Sequence, residues 1–306
     1  MKKLIIVKLL ILSIFIGCAS KNSLTPNIEL YNAYGNEHQL FLHGRTVKKE
    51  KEDPVSKNDS GYTNAWNAID FFHSDEIKNK KVFLTVDNKK YMTKGDDEGY
   101  FDFNITTATK LDMGYKNIDL QIEENSNIHH AKATVIGSKK MIGIISDIDD
   151  TVVVSDVTSK TKLLVNTFWK NYKQREVIAT MVDRFNKILK ENSPQTPSRL
   201  FFISGSPQQL FRPIEKFLEY NNFPKHVTIL KQIHGDKTDP LLDQMVYKTE
   251  KIEELIALYP NMQWVMFGDS GEKDHEVYKS IKEKYPSKVK GYYIRNVESG
   301  KIDFFE

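Results

Sequence analysis

Residues 141–154 read MIGIISDIDDTVVV: an apolar run meets three carboxylates and then turns apolar again. Ile142, Gly143, Ile144 and Ile145 have the composition of a strand buried on both faces, as in a parallel sheet. Acids set directly after such a strand lie at its carboxyl end, where open α/β sheets put their ligands. Asp147 and Asp149 are two residues apart, so an extended chain sends both carboxylates to one side. Two carboxylates so placed suit phosphoryl transfer, one as nucleophile and the other as proton donor to the departing alkoxide. The two roles need different protonation states, and a bound cation can hold the nucleophile ionised while its neighbour keeps a proton. A strand end with solvated acids is the plainer alternative. A calcium loop of the EF-hand type is disfavoured, because its sixth position requires Gly and here holds Val152.

Downstream, strands and helices alternate. A short flap is expected over residues 152–157, followed by an unassigned stretch over 160–172. Residues 176–190 place Val177, Met181, Val182, Phe185, Ile188 and Leu189 at helical spacing, with Pro194 and Pro197 to end the helix. Residues 200–203 (LFFI) make a second buried strand, closed by Ser204-Gly205-Ser206-Pro207 and a helix over 208–220. A hydroxyl there suits an anion, with Ser204 donating beside a helix N-terminus, although an N-cap serine has the same signature. A third strand is expected over 226–230, and Lys248 opens a helix over 248–258. A lysine in a first turn has the wrong sign for the helix dipole, which suits either a facing anion or a solvated surface position. Residues 264–267 (WVMF) form another strand, ending in Gly268-Asp269-Ser270-Gly271-Glu272-Lys273-Asp274, where acids again cluster among glycines. One more strand is expected over 289–294. The alternation predicts a parallel sheet with right-handed crossovers.

Asp147/Asp149, Ser204, Lys248 and Asp269/Asp274 follow one another as D-x-D-x-T, a Ser, a Lys and G-D-x-x-x-x-D. In this order they resemble the haloacid dehalogenase phosphohydrolase superfamily, whose domain is Rossmann-like. ISDIDDTV, FFISGSPQQL, Tyr247-Lys248, FGDSGEKDHEVY and YYIRNV further resemble the phosphatidate phosphatase family named for its actin-patch founding member. YNAYGN, LHGRTV and DDEGYF are similar to that family's upstream β-domain. Departures fall at Gln208, at Lys231-Gln232 and at Asn296, where the family usually has Trp, Arg-Asp and Asp, and they bear on substrate choice.

The resemblance implies a mechanism. Asp147 would attack phosphorus and form an aspartyl-phosphate, with Asp149 as acid and then base. Mg²⁺ would be held by Asp147, the backbone carbonyl of Asp149, Asp269 and Asp274. Ser204, Gly205 and Lys248 would take the phosphoryl oxygens. Thr151 is expected to brace the loop through a hydrogen bond, and Asp150 to point away. The implied substrate is phosphatidate, giving diacylglycerol and phosphate. Alternatives are a broad-specificity periplasmic phosphomonoesterase on soluble substrates and a non-enzymatic surface binding protein.

The first half reads differently. Residues 39–47, 81–86, 99–105, 117–122 and 131–136 alternate or cluster apolar residues between Asn, Gly and Asp turns, predicting a small β-sandwich over 28–139 ahead of an α/β domain over 140–306. Residues 48–63 form a charged loop, and 64–72 a short helix. His38, His43, His73, His129 and His130 show no recurring ligand spacing, which favours surface or core roles over metal binding. This part is expected to be a scaffold or binding module.

At the start, Lys2 and Lys3 precede a mostly apolar stretch over 4–16, too short for the ~20 residues of a spanning helix, so a secretion signal fits. It ends at Cys18, the only cysteine, in a setting that resembles a bacterial lipobox. That resemblance implies a lipidated Cys18 closing a signal over 1–18, a tether over 19–27 and a protein anchored to a membrane of the bacterial cell envelope. With no second cysteine, stability must come from the core rather than disulfides. Removing residues 1–17 takes Lys2, Lys3 and Lys8 from the 44 basic residues, leaving 41 against 41 acidic. The sequence pI of 8.6 thus belongs largely to the signal, and no charge argument for nucleic acid survives.

Overall fold

The computed structural model describes residues 26–48, 55–61, 63–64, 76–154, 170–193, 197–232 and 244–306. The signal expected over 1–18 with Cys18, nearly all of the tether expected over 19–27, most of the helix expected over 64–72, His73, Pro194 and parts of the stretches expected over 48–63, 152–157 and 160–172 lie outside these residues. Among the described residues the protein is a mixed α/β structure with two sheets.

The sheet that carries the acids has the order β10-β9-β8-β11-β12-β13. Its strands are β8 (Met141–Ser146), β9 (Leu200–Pro207), β10 (His226–Lys231), β11 (Met262–Asp269), β12 (Val289–Arg295) and β13 (Ile302–Phe305). All pairs are parallel except β12 with β13. Among the described residues, four α-helices connect the parallel strands: α1 (Ala179–Leu189), α2 (Phe211–Tyr220), α3 (Gln244–Leu258) and α4 (Asp274–Lys284). Alternate strand residues face opposite ways, which makes two cores. Ile144, Phe202 and Phe267 pack with Met181 and Phe185 of α1 and Ile214, Phe217 and Leu218 of α2. Ile145, Phe201, Trp264 and Met266 pack with α3 and α4. A Cβ on Gly143 would meet the Trp264 ring at 2.5 Å, so the central strand needs glycine there to seat the indole. From β8 the chain builds outward through β9 and β10, then returns to pair β11 on the other flank of β8. The order therefore reverses between β8 and β11, the position where such sheets open a crevice at their carboxyl ends.

The other sheet holds β1 (Pro26–Gly35), β2 (Gln39–Lys48), β3 (Lys81–Val86), β4 (Lys89–Lys94), β5 (Tyr100–Thr106), β6 (Gly114–Ile122) and β7 (Ile128–Val135). The reading anticipated the two layers of a sandwich; hydrogen bonds join these seven strands in one order, β4-β3-β6-β7-β1-β2-β5, around a shared core that includes Leu40, Leu42, Leu84, Phe101 and Leu120. Strands β1, β4 and β13 and helix α4 were not anticipated. Strand β4 (KKYMTK) is mostly exposed and is held by its turn, where Asp87 and Asn88 both take positive φ (48° and 60°), the mirror-image turn that suits a two-residue hairpin. Helix α4 is largely polar and buries only Val277, Tyr278 and Ile281 among its apolar side chains, too few for a clear helical stripe.

Strand β1 joins the two sheets. At its end, Tyr34 meets Phe201 edge-on at 5.7 Å and the Gly35 carbonyl accepts from the Tyr259 hydroxyl at 3.1 Å, level with the amino ends of the parallel strands. Earlier on the strand, Tyr31 packs edge-on against Phe211 at 5.2 Å and Glu29 pairs with Arg212, at the start of α2. Strand β1 thus begins at the carboxyl end of the parallel strands and runs down to their amino ends.

Phe185 is fully buried, with its ring 4.9 Å from that of Phe267 and close to those of Phe202 and Phe223. Phe185→Ala is expected to destabilise the fold by about 3–5 kcal/mol, read as a lowered denaturant midpoint.

Candidate active site

The acids of β8 and β11 meet at the reversal point. Asp147, Asp269 and Asp274 are almost fully buried, and one oxygen from each lies within 4.8 Å of the others. Asp147 follows β8 directly and its N–H donates to the Phe267 carbonyl (2.9 Å), which pins the nucleophile candidate to the neighbouring strand. Asp274 opens α4 and accepts from the Asp269 N–H at 3.2 Å. That approach requires Gly268, where a Cβ would lie 2.5 Å from the Asp274 side chain. Asp269 Oδ1 is held by the N–H groups of Gly271 (2.6 Å) and Glu272 (3.1 Å).

Lys248 reaches into this cluster from α3. Its Nζ donates to Asp147 Oδ1 (2.8 Å), Glu272 Oε2 (2.9 Å) and Asp274 Oδ1 (2.6 Å). The helix runs from Gln244, not from Lys248, so the lysine sits in its second turn and the first-turn dipole argument does not apply. Its placement is set by the carboxylates instead.

Four carboxylates, those of Asp147, Asp269, Glu272 and Asp274, thus gather around one ammonium. Burial raises Asp147 well above the ordinary carboxylate range, and Asp274, Glu272 and Asp269 add to the rise against the pull of Lys248. Burial likewise raises Asp274 and pushes Asp269 up to about 8, with neighbouring acids contributing to both. For Lys248, burial opposes the charge, but Asp147, Asp274 and Glu272 outweigh it and hold the pKa well above the usual value. Among the described residues, Asp147 Oδ2 and Asp269 Oδ2 are buried with no hydrogen-bond partner. Buried carboxylate oxygens left unpaired are costly, and a hard cation satisfies them directly. Asp147, Asp269 and Asp274 could therefore hold a metal ion, and their all-oxygen chemistry fits one.

Asp149 lies beside this cluster. Its Oδ2 accepts from the Ser206 hydroxyl at 2.8 Å. Burial raises its pKa, while the Arg175 charge and the Ser206 hydrogen bond draw it down. Ser204 Oγ accepts from the Ser206 N–H (3.0 Å), so the two serines brace one another at the end of β9. Gly205 faces the Gln244 side chain, which a Cβ there would strike at 2.6 Å. Thr151 departs from expectation: its hydroxyl is buried with no hydrogen-bond partner among the described residues, and its backbone N–H bonds the Ile148 carbonyl at 3.3 Å. Asp150 takes a left-handed backbone (φ 53°), and its carbonyl accepts from Arg295 Nη1 at 2.9 Å.

The structure thus brings Asp147, Asp269, Asp274 and Lys248 into contact, with Asp149 and Ser204 joined through Ser206. Sequence reasoning passed over Glu272, Ser206 and Arg175. Ser206 carried a signal, being two residues after Ser204 and so on the same side of an extended chain. Glu272 lay in plain view among the residues after Gly268. Arg175 sits in an irregular stretch with no motif to mark it.

A parallel α/β sheet with an enclosed acidic centre at its reversal point defines the class of fold. Residues 142–296, half of the chain, match the family described as phosphatidate phosphatase APP1, catalytic domain, and the chain belongs to that family. It is 28% identical over 155 residues to the phosphatidate phosphatase APP1 of Saccharomyces cerevisiae, a match covering 50% of this chain and 26% of the yeast protein. An uncharacterized protein of Schizosaccharomyces pombe is 28% identical over 238 residues, covering 74% of this chain and 38% of that one. The matches thus span about a quarter and two fifths of these relatives. A carbohydrate acetylesterase of known structure from Xanthomonas citri aligns at 12% identity over 88% of this chain and 68% of its own, with a TM-score of 0.32, too low to bear on fold or function.

The raised Asp269 pKa has a stability consequence. Its folded value of about 8 lies above the unfolded 3.8, so the folded state holds the proton more firmly between the two and loses stability as pH rises through that window. A divalent cation that takes the proton's place restores what is lost. The melting temperature should therefore rise more on adding the cation at pH ~8.5 than at pH ~6, and an equal rise at both would contradict this.

Proposed function

We propose that the chain is a phosphatidate phosphatase that releases phosphate from phosphatidate and leaves diacylglycerol. On this reading a haloacid-dehalogenase-type Rossmann-like domain over 140–306 does the chemistry, after a β-domain over 28–139. The observation that carries it is the pair of unpartnered, buried oxygens of Asp147 and Asp269 beside Lys248, in a chain of this family. The name of the yeast relative supports the substrate. We further propose that residues 1–18 are an export signal and that lipidated Cys18 holds the protein to a membrane of the bacterial cell envelope.

The residues divide the work as follows. Asp147 attacks phosphorus through one carboxylate oxygen, and the phosphorus–alkoxide bond breaks as the aspartyl-phosphate forms. Asp149, inclined by burial to keep a proton and fixed by Ser206, gives that proton to the leaving alkoxide. The resulting carboxylate then takes a proton from water, which attacks phosphorus and frees phosphate and Asp147. Ser204, the Gly205 N–H and Lys248 bind the phosphoryl oxygens as charge gathers on them. Asp147, Asp269 and Asp274, with the Asp149 carbonyl, would hold the cation, and Mg²⁺ best suits a compact all-oxygen set that also takes substrate phosphate. When bound, Mg²⁺ supplies the positive charge that keeps Asp147 ionised and offsets the phosphoryl oxygens.

The test is phosphate release by the full chain with Mg²⁺, from phosphatidate in detergent micelles and from a soluble phosphomonoester. Asp147→Asn should lower the rate on phosphatidate by at least ~10³-fold, about 4 kcal/mol in the barrier. Cleavage of the soluble ester alone would remove the lipid assignment. Inactivity of folded, Mg²⁺-loaded protein on both would remove the enzyme assignment.

A further inference from the structure

One histidine of the β-sheet unit reaches the chain that forms the site. His43, on β2, places Nδ1 2.7 Å from Asp102 Oδ1 on β5, its register partner, and Nε2 2.9 Å from Gln208 Oε1. Gln208 is 2% exposed and follows Ser204-Gly205-Ser206-Pro207. The imidazole stacks on Tyr100 (centroids 5.8 Å, planes 6° apart) and lies 5.6 Å from the Tyr31 ring, which in turn meets Phe211 of α2. The surrounding polar and charged groups come from every packed element: Glu29 and Tyr31 on β1, Arg45 on β2, Tyr100 and Asp102 on β5, and Arg212 on α2. Within an aromatic joint, the His43–Gln208 bond is thus a directional link from one sheet to the other.

The link acts on the site's own chain. Two residues before Gln208, the Ser206 hydroxyl binds the Asp149 carboxylate and the Ser206 N–H binds Ser204. We propose that His43 is a positioning residue, which by holding Gln208 fixes the Ser204–Pro207 end of β9 and, through Ser206, the aim of Asp149. This rests on the phosphatase reading for its catalytic consequence, but not for the coupling itself. Both ring nitrogens lie within hydrogen-bond distance of side-chain oxygens, and the tautomer sets which of them donates. The β-sheet unit accordingly sets how well the other sheet's site is formed.

The test uses the full chain with Mg²⁺ and four variants: His43→Ala, Gln208→Ala, the two combined, and His43→Gln, whose amide nitrogen can replace Nε2 as donor. Groups that support a site from behind commonly change activity by about 10- to 100-fold when removed. His43→Ala and Gln208→Ala should each lower kcat within that range on the soluble ester, with KM little changed. The combined variant should lose no more than either alone, and His43→Gln should recover most of the rate. Amide hydrogen exchange at residues 204–210 should quicken in His43→Ala and not in His43→Gln. Additive losses, or unchanged kcat and exchange in His43→Ala, would overturn the proposal. If the parent cleaves no phosphate ester, the phosphatase reading fails separately, and the exchange result alone decides whether the two sheets are coupled through His43.

Discussion

The feature on which the rest depends is an imbalance of charge inside the fold. Four carboxylates face one lysine ammonium in a space walled by two strands and two helix ends. Water would accommodate that imbalance easily, whereas a buried site must resolve it by taking up protons or a cation. The raised carboxylates and the unpaired oxygens of Asp147 and Asp269 are two expressions of the same condition. The surrounding architecture enforces it. Gly268 lets Asp274 press against β11, and the Phe267 carbonyl ties down Asp147. Two aromatic cores hold the strands that carry these groups.

The same logic separates the two acids that follow β8. Asp147 lies within reach of the lysine and the other acids, while Asp149 faces Ser206 and the charge of Arg175. Residues only two apart thus acquire unlike surroundings, and unlike surroundings are what let similar side chains play different parts. The positive φ of Asp150 follows immediately.

Much of this was legible in the chain. The strands at 142–145, 200–203, 226–230 and 264–267 stood out because a parallel sheet covered on both faces needs continuous apolar runs, and the motif acids follow two of them directly. Lys248 was found, but for a reason that did not survive, since its helix begins a turn earlier at Gln244. Helix α4 was missed because its polar residues dilute the buried face, and β4 because its stability comes from pairing and a turn rather than from apolar alternation. Arg175 and the partners of His43 became visible only when the chain was closed in space. His43 contacts Gln208 across a separation of 165 residues, and local pattern carries no trace of such a pairing.

Strand β1 carries one further consequence. It starts at Pro26 at the same end of the molecule as the acidic centre, as the pairing of Glu29 with the start of α2 fixes. With the proposed attachment at Cys18, only residues 19–25 separate the anchor from this strand, a span of at most about 25 Å. An enzyme leashed so closely from its catalytic end would lie with its mouth toward the bilayer that holds it. Its encounter with substrate would then be a search in two dimensions, governed by the surface density of head groups rather than by their bulk concentration. Turnover would respond to how much phosphatidate its own leaflet carries, and hardly at all to lipid presented from elsewhere.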